Sequence, residues 1–313
     1  MAPGSKRAAR RPVMAQRAQI RMLPDQTRLH LQDGPIDLIV EAFGTFAEVR
    51  CAYQAAAGRF VNVLDELCAE LPLLRAQVVP GGPWLNGKIA KRMAAAVEPY
   101  ASHTFVTPMA AVAGAVAEEI LEAMTSAARL AKAYVNDGGD IALHLEPSEH
   151  FVIGMVERPD RPSLFGTATI TSGEPIRGIA TSGWRGRSFS RGIADAVTVL
   201  AGTAAQADAA ATIIGNAVDF PGSPKIVRVP ARSMAPDSDL GDLLVTQDVG
   251  KLSAEEVDCA LQAGMAAAEG LAAEGLIHSA ALHLSGETRV VGAALRLASL
   301  SRSQTAHRSL VHA

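Results

Sequence analysis

Apolar and polar positions alternate over 28–32 and again over 36–40, with Asp33-Gly34 between them, which predicts a β-hairpin. From about Thr45 to Leu74 the apolar positions (Phe46, Val49, Tyr53, Phe60, Val63, Leu64, Leu67) fall at spacings of three and four, the period of a helix. Pro80-Gly-Gly-Pro83 ends that pattern. A shorter helix is expected over 85–97 and a long small-residue helix over 109–134. Tyr134-Val135 then runs as a short strand into Asn136-Asp-Gly-Gly-Asp140. Strand-type runs follow at 141–145, 151–156, 165–170, 176–181 and 193–200. After them come a helix at 203–218, strands at 225–229 and 243–246, and a helix at 253–273 that opens on the capping-box pair Ser253 and Glu256. Two last strands, 280–284 and 288–291, turn at Ser285-Gly286. Strand runs separated by helix groups predict an α+β fold, a mostly antiparallel sheet packed with helices, rather than a doubly wound one.

Composition adds one point: 49% of the chain is hydrophobic but only 4% aromatic, because 58 of 313 residues are alanine. Small side chains let helices and strands approach closely. The net charge of −3 hides an asymmetry. Residues 1–24 carry six basic groups and no acid, leaving 23 basic against 32 acidic residues in the rest. We therefore assign 1–24 as a basic disordered extension, 25–300 as a single domain and 301–313 as a loose tail, with Pro221–Pro224 the best internal boundary. The acidic body argues against a nucleic-acid partner. No stretch reads as a membrane span, since Glu118, Glu119 and Glu122 interrupt the most apolar window, 109–124. The tail lacks the apolar centre of a secretory signal, and three scattered cysteines suit neither a disulfide framework nor a zinc site, so a cytoplasmic location is expected.

One motif misleads. Gly82 to Lys88 matches most of a phosphate-binding P-loop, but Ile89 stands where a Mg²⁺-binding hydroxyl belongs and Pro83 removes a backbone donor. It reads as a helix–helix loop with Trp84 packed inward. His278 and His283, five apart, read as structural.

Three segments carry candidate chemistry. In Val135 to Ile141 a strand ends in two glycines flanked by carboxylates and an amide, where backbone N–H groups can meet a ligand. Gly178-Ile-Ala-Thr-Ser-Gly183 leads into Arg185, Arg187 and Arg191, whose forked guanidinium groups suit phosphate oxygens. In Ala204 to Thr212, Asp208 and Thr212 lie one helical turn apart and offer hard oxygen donors of the kind Mg²⁺ takes. Taken singly, the first is more simply a turn and the third a structural pair, while the second reads equally as a solvated basic loop.

Together, in this order, the segments V-N-D-G-G-D-I, G-I-A-T-S-G and A-D-A-A-A-T resemble those of the FAD:protein FMN transferase (ApbE) superfamily. The chain looks closest to an uncharacterised ApbE-like branch that shares the segment Thr107 to Ala115, and the likeness covers roughly 28–295. The resemblance implies an ApbE-like, T-fold-related architecture that takes FAD with Mg²⁺ at its pyrophosphate. Asp208 and Thr212 would supply metal oxygens, with a backbone carbonyl near Val112 as a third. Asn136, Gly138, Gly139, Asp140, Thr181, Ser182 and Gly183 would line the nucleotide site, and Asp208, Arg185 and Arg187 are the catalytic candidates. In such transferases an FMN moiety passes to a hydroxyl of a protein acceptor. Two features depart from the pattern. Ala113 stands where the family carries a lysine, and the H-x-x-D-P-x-T-G segment is absent: Trp184 to Arg191 runs straight into Gly192-Ile-Ala-Asp195. Three readings therefore stand side by side: a Mg²⁺-dependent flavin-nucleotide transferase or FAD-pyrophosphate-cleaving enzyme, a non-catalytic flavin-binding module, and an enzyme of pterin or one-carbon cofactor metabolism. T-fold kinship also suits a homo-oligomer.

Overall fold

The alternation in 28–43 folds as expected: Asp33 and Ile36 close a hairpin, and glycine serves at Gly34 because φ there is +58°. The computed structural model describes residues 17–79, 81–82, 84–156, 164–292 and 310–312. In chain order its elements are β1 (Gln19–Met22), β2 (Arg28–Asp33), β3 (Ile36–Phe43), α1 (Phe46–Phe60), α2 (Val63–Ala69), α3 (Leu71–Leu74), α4 (Lys88–Val97), α5 (Val112–Ala127), β4 (Lys132–Asp137), β5 (Asp140–Leu145), β6 (His150–Val156), β7 (Leu164–Thr171), β8 (Gly178–Ser182), β9 (Ala196–Ala201), α6 (Ala204–Ala217), β10 (Ile226–Pro230), α7 (Ala231–Met234), β11 (Leu244–Val249), α8 (Ala254–Ala273), β12 (Ser279–Leu284), β13 (Glu287–Val291) and β14 (Leu310–His312).

Nine strands form one sheet in the order β1-β2-β3-β4-β5-β8-β9-β12-β13, antiparallel at every pairing. The α+β expectation is met. One face carries α1, α5, α6 and α8 over a core of small aliphatic residues, among them Val135, Ala142, Ala180, Val197 and Val199. The other face is covered by the β6–β7 hairpin, which packs Phe151, Ile153 and Ile170 against Tyr134, Ile141 and Ile179. The sheet is thus apolar on both sides at its centre, and β9 is buried at all six positions.

The alanines work where expected. Helices α5 and α6 cross so closely that a Cβ on Gly114 would lie 2.3 Å from the carbonyl oxygen of Ala204. Each helix also satisfies the other's orphan N-terminal donors. The Asp208 carboxylate of α6 accepts from Gly114 N–H in the first turn of α5 (3.1 Å), and Glu118 of α5 accepts from Ala205 N–H in the first turn of α6 (2.7 Å). Glu118 is itself held by Arg92 (3.0 Å), in a network where Arg59, Lys88 and Arg92 answer Glu66, Glu119 and Glu122.

The structure corrects four expectations. The 45–74 helix is three helices, because the chain breaks at Val61-Asn62 and Pro72 in the first turn of α3 lacks the N–H a continuous ladder needs. The basic extension ends earlier than residue 24: β1 pairs with β2, and Arg17 is held by Asp33 (2.5 Å) and Asp65 (3.0 Å) of the acidic body. Leu310–His312 of the C-terminal tail pairs in parallel with β6. Trp84 points outward, 92% exposed, and it is the neighbouring Leu85 that packs against the core. Among the described residues, no helix is long and apolar enough to cross a membrane.

Candidate functional site

The turn between β4 and β5 holds only two residues, Gly138 and Gly139, both at positive φ (+67° and +118°), which is why glycine occupies both. The Asn136 Oδ1 atom accepts from Gly139 N–H (2.8 Å) and fixes the turn. Its effect is to set Asp137 and Asp140 directly opposite one another at the strand ends, in one register pair. Like charges so placed repel. Both face the helix side of the sheet and open into a cavity of about 570 Å³.

Six segments line that cavity, one of them Pro35 and Ile36 of the β2–β3 hairpin. The turn gives Asp137, Gly138 and Asp140. The end of β8 gives Thr181, Ser182 and Gly183, and the loop after it Gly186, Arg187 and Ser188. Helix α6 gives Asp208 and Thr212, and the start of α5 gives Met109, Val112, Ala113 and Val116. Opposite stands an apolar wall from α2 and α3, namely Leu64, Leu67, Leu71 and Leu74, with Cys68 and Arg75 beside it. None of these lining residues is aromatic.

Asp137 is buried, whereas Asp140 and Asp208 keep some access through the cavity. Removal from water is the main cause that raises all three carboxyl pKa values, Asp137 up to about 7. Neighbouring carboxylates add to it: Asp208 and Asp137 push Asp140 up, and Asp137 pushes Asp208 up. Arg187 and the backbone donors, Thr181 N–H to Asp140 and Gly114 N–H to Asp208, act the other way. Native protein therefore holds protons on this cluster that unfolded chains have already released. Folded pKa values above the unfolded ones mean stability is fully present below about pH 4 from these groups and is lost as pH rises through about 7. We predict that the thermal midpoint of metal-free protein falls between pH 5 and pH 8 and that Asp137→Asn flattens the slope, as read by calorimetric scans.

Of the residues picked from sequence, the cavity gathers Val112, Gly138, Asp140, Thr181, Ser182, Gly183, Arg187, Asp208 and Thr212. Asn136 and Gly139 stand behind it as the turn's support. The hydroxyl of Thr181 is paired with that of Thr198 (2.9 Å), so it is the Thr181 N–H that serves the site. Gly183 admits no side chain, since a Cβ would lie 2.3 Å from the Asp195 carbonyl oxygen. Arg187 reaches back over the turn, donating to the Pro35 carbonyl (2.8 Å) with its other terminal nitrogen near Gly138. Arg185 is not brought in: it pairs with Asp195 (3.2 Å) and lies over the Trp184 ring at 4.0 Å. Val112 is the first residue of α5. Sequence reasoning missed Asp137 as a lining acid, although its place opposite Asp140 across a two-glycine turn signals it. It also missed the leucine wall, whose helical spacing looks the same whether it faces a core or a ligand. No group of three or more His, Cys, Asp or Glu side chains among the described residues forms a metal cluster by itself.

A family model described as "AbpE bacteria" matches residues 20–290, most of the described chain and every segment of the cavity. The chain belongs to the AbpE bacteria family. It is an ApbE-like protein, as the motif order implies. Relatives among curated proteins include a UPF0280 protein of Methanopyrus kandleri, 38% identical over 159 residues (49% of this chain, 59% of that protein). Another, from Archaeoglobus fulgidus, is 39% identical over 140 residues (43% and 53%). The matches thus span little more than half the length of these relatives. Among solved structures, a variant of the flavin transferase ApbE from Vibrio cholerae is 13% identical with a TM-score of 0.45 (85% of this chain, 96% of that one). The ApbE protein of Thermotoga maritima gives 14% and 0.42 (65% and 88%).

Proposed function

We propose that this AbpE-family chain binds a flavin nucleotide, FAD, together with Mg²⁺ in the cavity between α5, α6 and the β4–β5 turn, and acts there as an FMN transferase or an FAD-pyrophosphate-cleaving enzyme. The observation that carries the reading is the site's charge balance. Three enclosed carboxylates, Asp137, Asp140 and Asp208, meet Arg187 at the turn, while the other guanidinium lining the cavity, Arg75, is paired with Asp237. Buried charge of one sign is costly unless paired or liganding a cation. The available donors are hard oxygens: Asp208, the Thr212 hydroxyl one turn on, and backbone carbonyls near Val112. They fit Mg²⁺ and not a softer metal.

A bound divalent cation would neutralise pyrophosphate oxygens and favour attack at phosphorus. The chain's own residues supply the rest. Asp208 and Thr212 hold the ion. Arg187, tethered to Pro35, presents its guanidinium beside the turn for phosphate oxygens. The N–H groups at Gly138 and Gly183 approach without side chains in the way. The leucine wall takes the apolar ring and excludes water. In a transferase, a hydroxyl of a protein acceptor would attack and AMP would leave.

One observation favours the non-catalytic flavin module as second reading: Ala113 lines the cavity where the resemblance implies a lysine. Incubation with FAD and Mg²⁺, followed by chromatography, separates the two. AMP release supports chemistry, while intact bound FAD supports the module. Thermal stabilisation by pterins and none by flavins would overturn both.

A further inference from the structure

Reciprocal capping ties the two helices of the cavity at their N-termini. Asp208 accepts from the N–H groups of Gly114 and Ala113 at the start of α5, and its carboxylate oxygens have further lone pairs to offer a cation. Whether it points into the cavity depends on where α6 begins. That start is set by Glu118, whose Oε1 accepts from Ala205 N–H (2.7 Å) while its Oε2 is held by Arg92 (3.0 Å). Thr203 caps the same end by accepting from Gln206 N–H (3.3 Å), a longer bond and one donor further on. No slack exists between the helices, because the Gly114 backbone sits directly against Ala204. A carboxylate at an α6 donor also favours that helix's positive end.

We propose that Glu118, outside the cavity, is a positioning residue for the cation site. By docking the first turn of α6 on α5 it fixes Asp208 and Thr212 relative to Val112, and Arg92 orients it. This rests on the Mg²⁺ reading above, so the test carries a measurement independent of metal. In full-length protein, Glu118→Ala removes the acceptor, Glu118→Gln keeps it without charge, and Glu122→Ala removes ion pairs to Lys88 and Arg92 from the same helix while leaving both Glu118 contacts in place, as a control.

Hydrogen exchange in metal-free protein is read at Ala205, bonded to Glu118, and at Gly114, bonded to Asp208. Glu118→Ala is expected to speed exchange about tenfold at both amides, with Glu118→Gln and Glu122→Ala close to wild type. Faster exchange at Ala205 alone would overturn the proposal. Mg²⁺ titration by calorimetry then tests the functional consequence. Affinity is expected to fall about 10–100-fold in Glu118→Ala and to recover in Glu118→Gln, the range typical of residues that orient ligands from behind. Unchanged affinity would overturn it. If wild-type protein binds no Mg²⁺, the cation reading fails and the Gly114 amide alone decides the positioning role.

Discussion

Asp208→Asn is expected to abolish the Mg²⁺-dependent part of flavin-nucleotide binding while leaving the metal-free protein as stable as wild type, or more so. Asparagine still offers an oxygen to Gly114 N–H, so α5 keeps its cap. The substitution removes a carboxylate whose burial and neighbours already work against its charge. Asp208→Ala removes both functions and should add a loss of about 1 kcal/mol, the usual value of an N-terminal cap. Calorimetric titration of FAD with and without Mg²⁺ reads the first effect. Equal metal enhancement in wild type and Asp208→Asn would refute the cation site, and no FAD binding in either protein would refute the nucleotide reading.

Gly114→Ala is expected to cost about 3 kcal/mol of stability, near the upper end of the usual range for overpacking. The new methyl would meet the backbone of Ala204 and Ala205 at 2.3–2.7 Å, and backbone cannot rotate aside as a side chain can. Helices α5 and α6 must part, and both caps go with them. Urea titration should show the lower midpoint with unchanged slope, together with weakened FAD binding. Gly58→Ala, in the exposed interior of α1 with nothing within 4 Å of the added atom, is the control and should be more stable than wild type by about 0.5–1 kcal/mol. A Gly114→Ala protein as stable as wild type would mean that the close crossing is not required.

Much of this was legible in the sequence. The strands and helices followed from period, and the nucleotide-site segments followed from the order of three weak motifs. Asp208, Thr212 and the glycine turn could be placed together only because those motifs recur in a known arrangement. Spacing by itself does not bring residue 138 to residue 208. Arg185 and Arg187 could not be told apart, since two positions along a loop decide between Asp195 and the cavity. The break at Pro72 was readable, but its use was not. Leu64 and Leu71 look like core residues until the topology leaves one side of them open to the cavity, with Leu67 and Leu74 buried behind them. Glu118 was read as a wet interruption of an apolar helix, because its partner lies 87 residues on.

Every lining residue of the cavity falls between Pro35 and Thr212, yet the sheet beneath it is closed from much further along the chain. Strand β9 pairs on one side with β8 and on the other with β12, whose first residue follows roughly eighty positions later. During synthesis at about 5–20 residues per second, one side of this strand, apolar at all positions but Thr198, waits several seconds for its neighbour. An unpaired edge of that kind templates association with other chains. During synthesis, the architecture that encloses the site therefore leaves one edge of β9 open to other chains until β12 arrives.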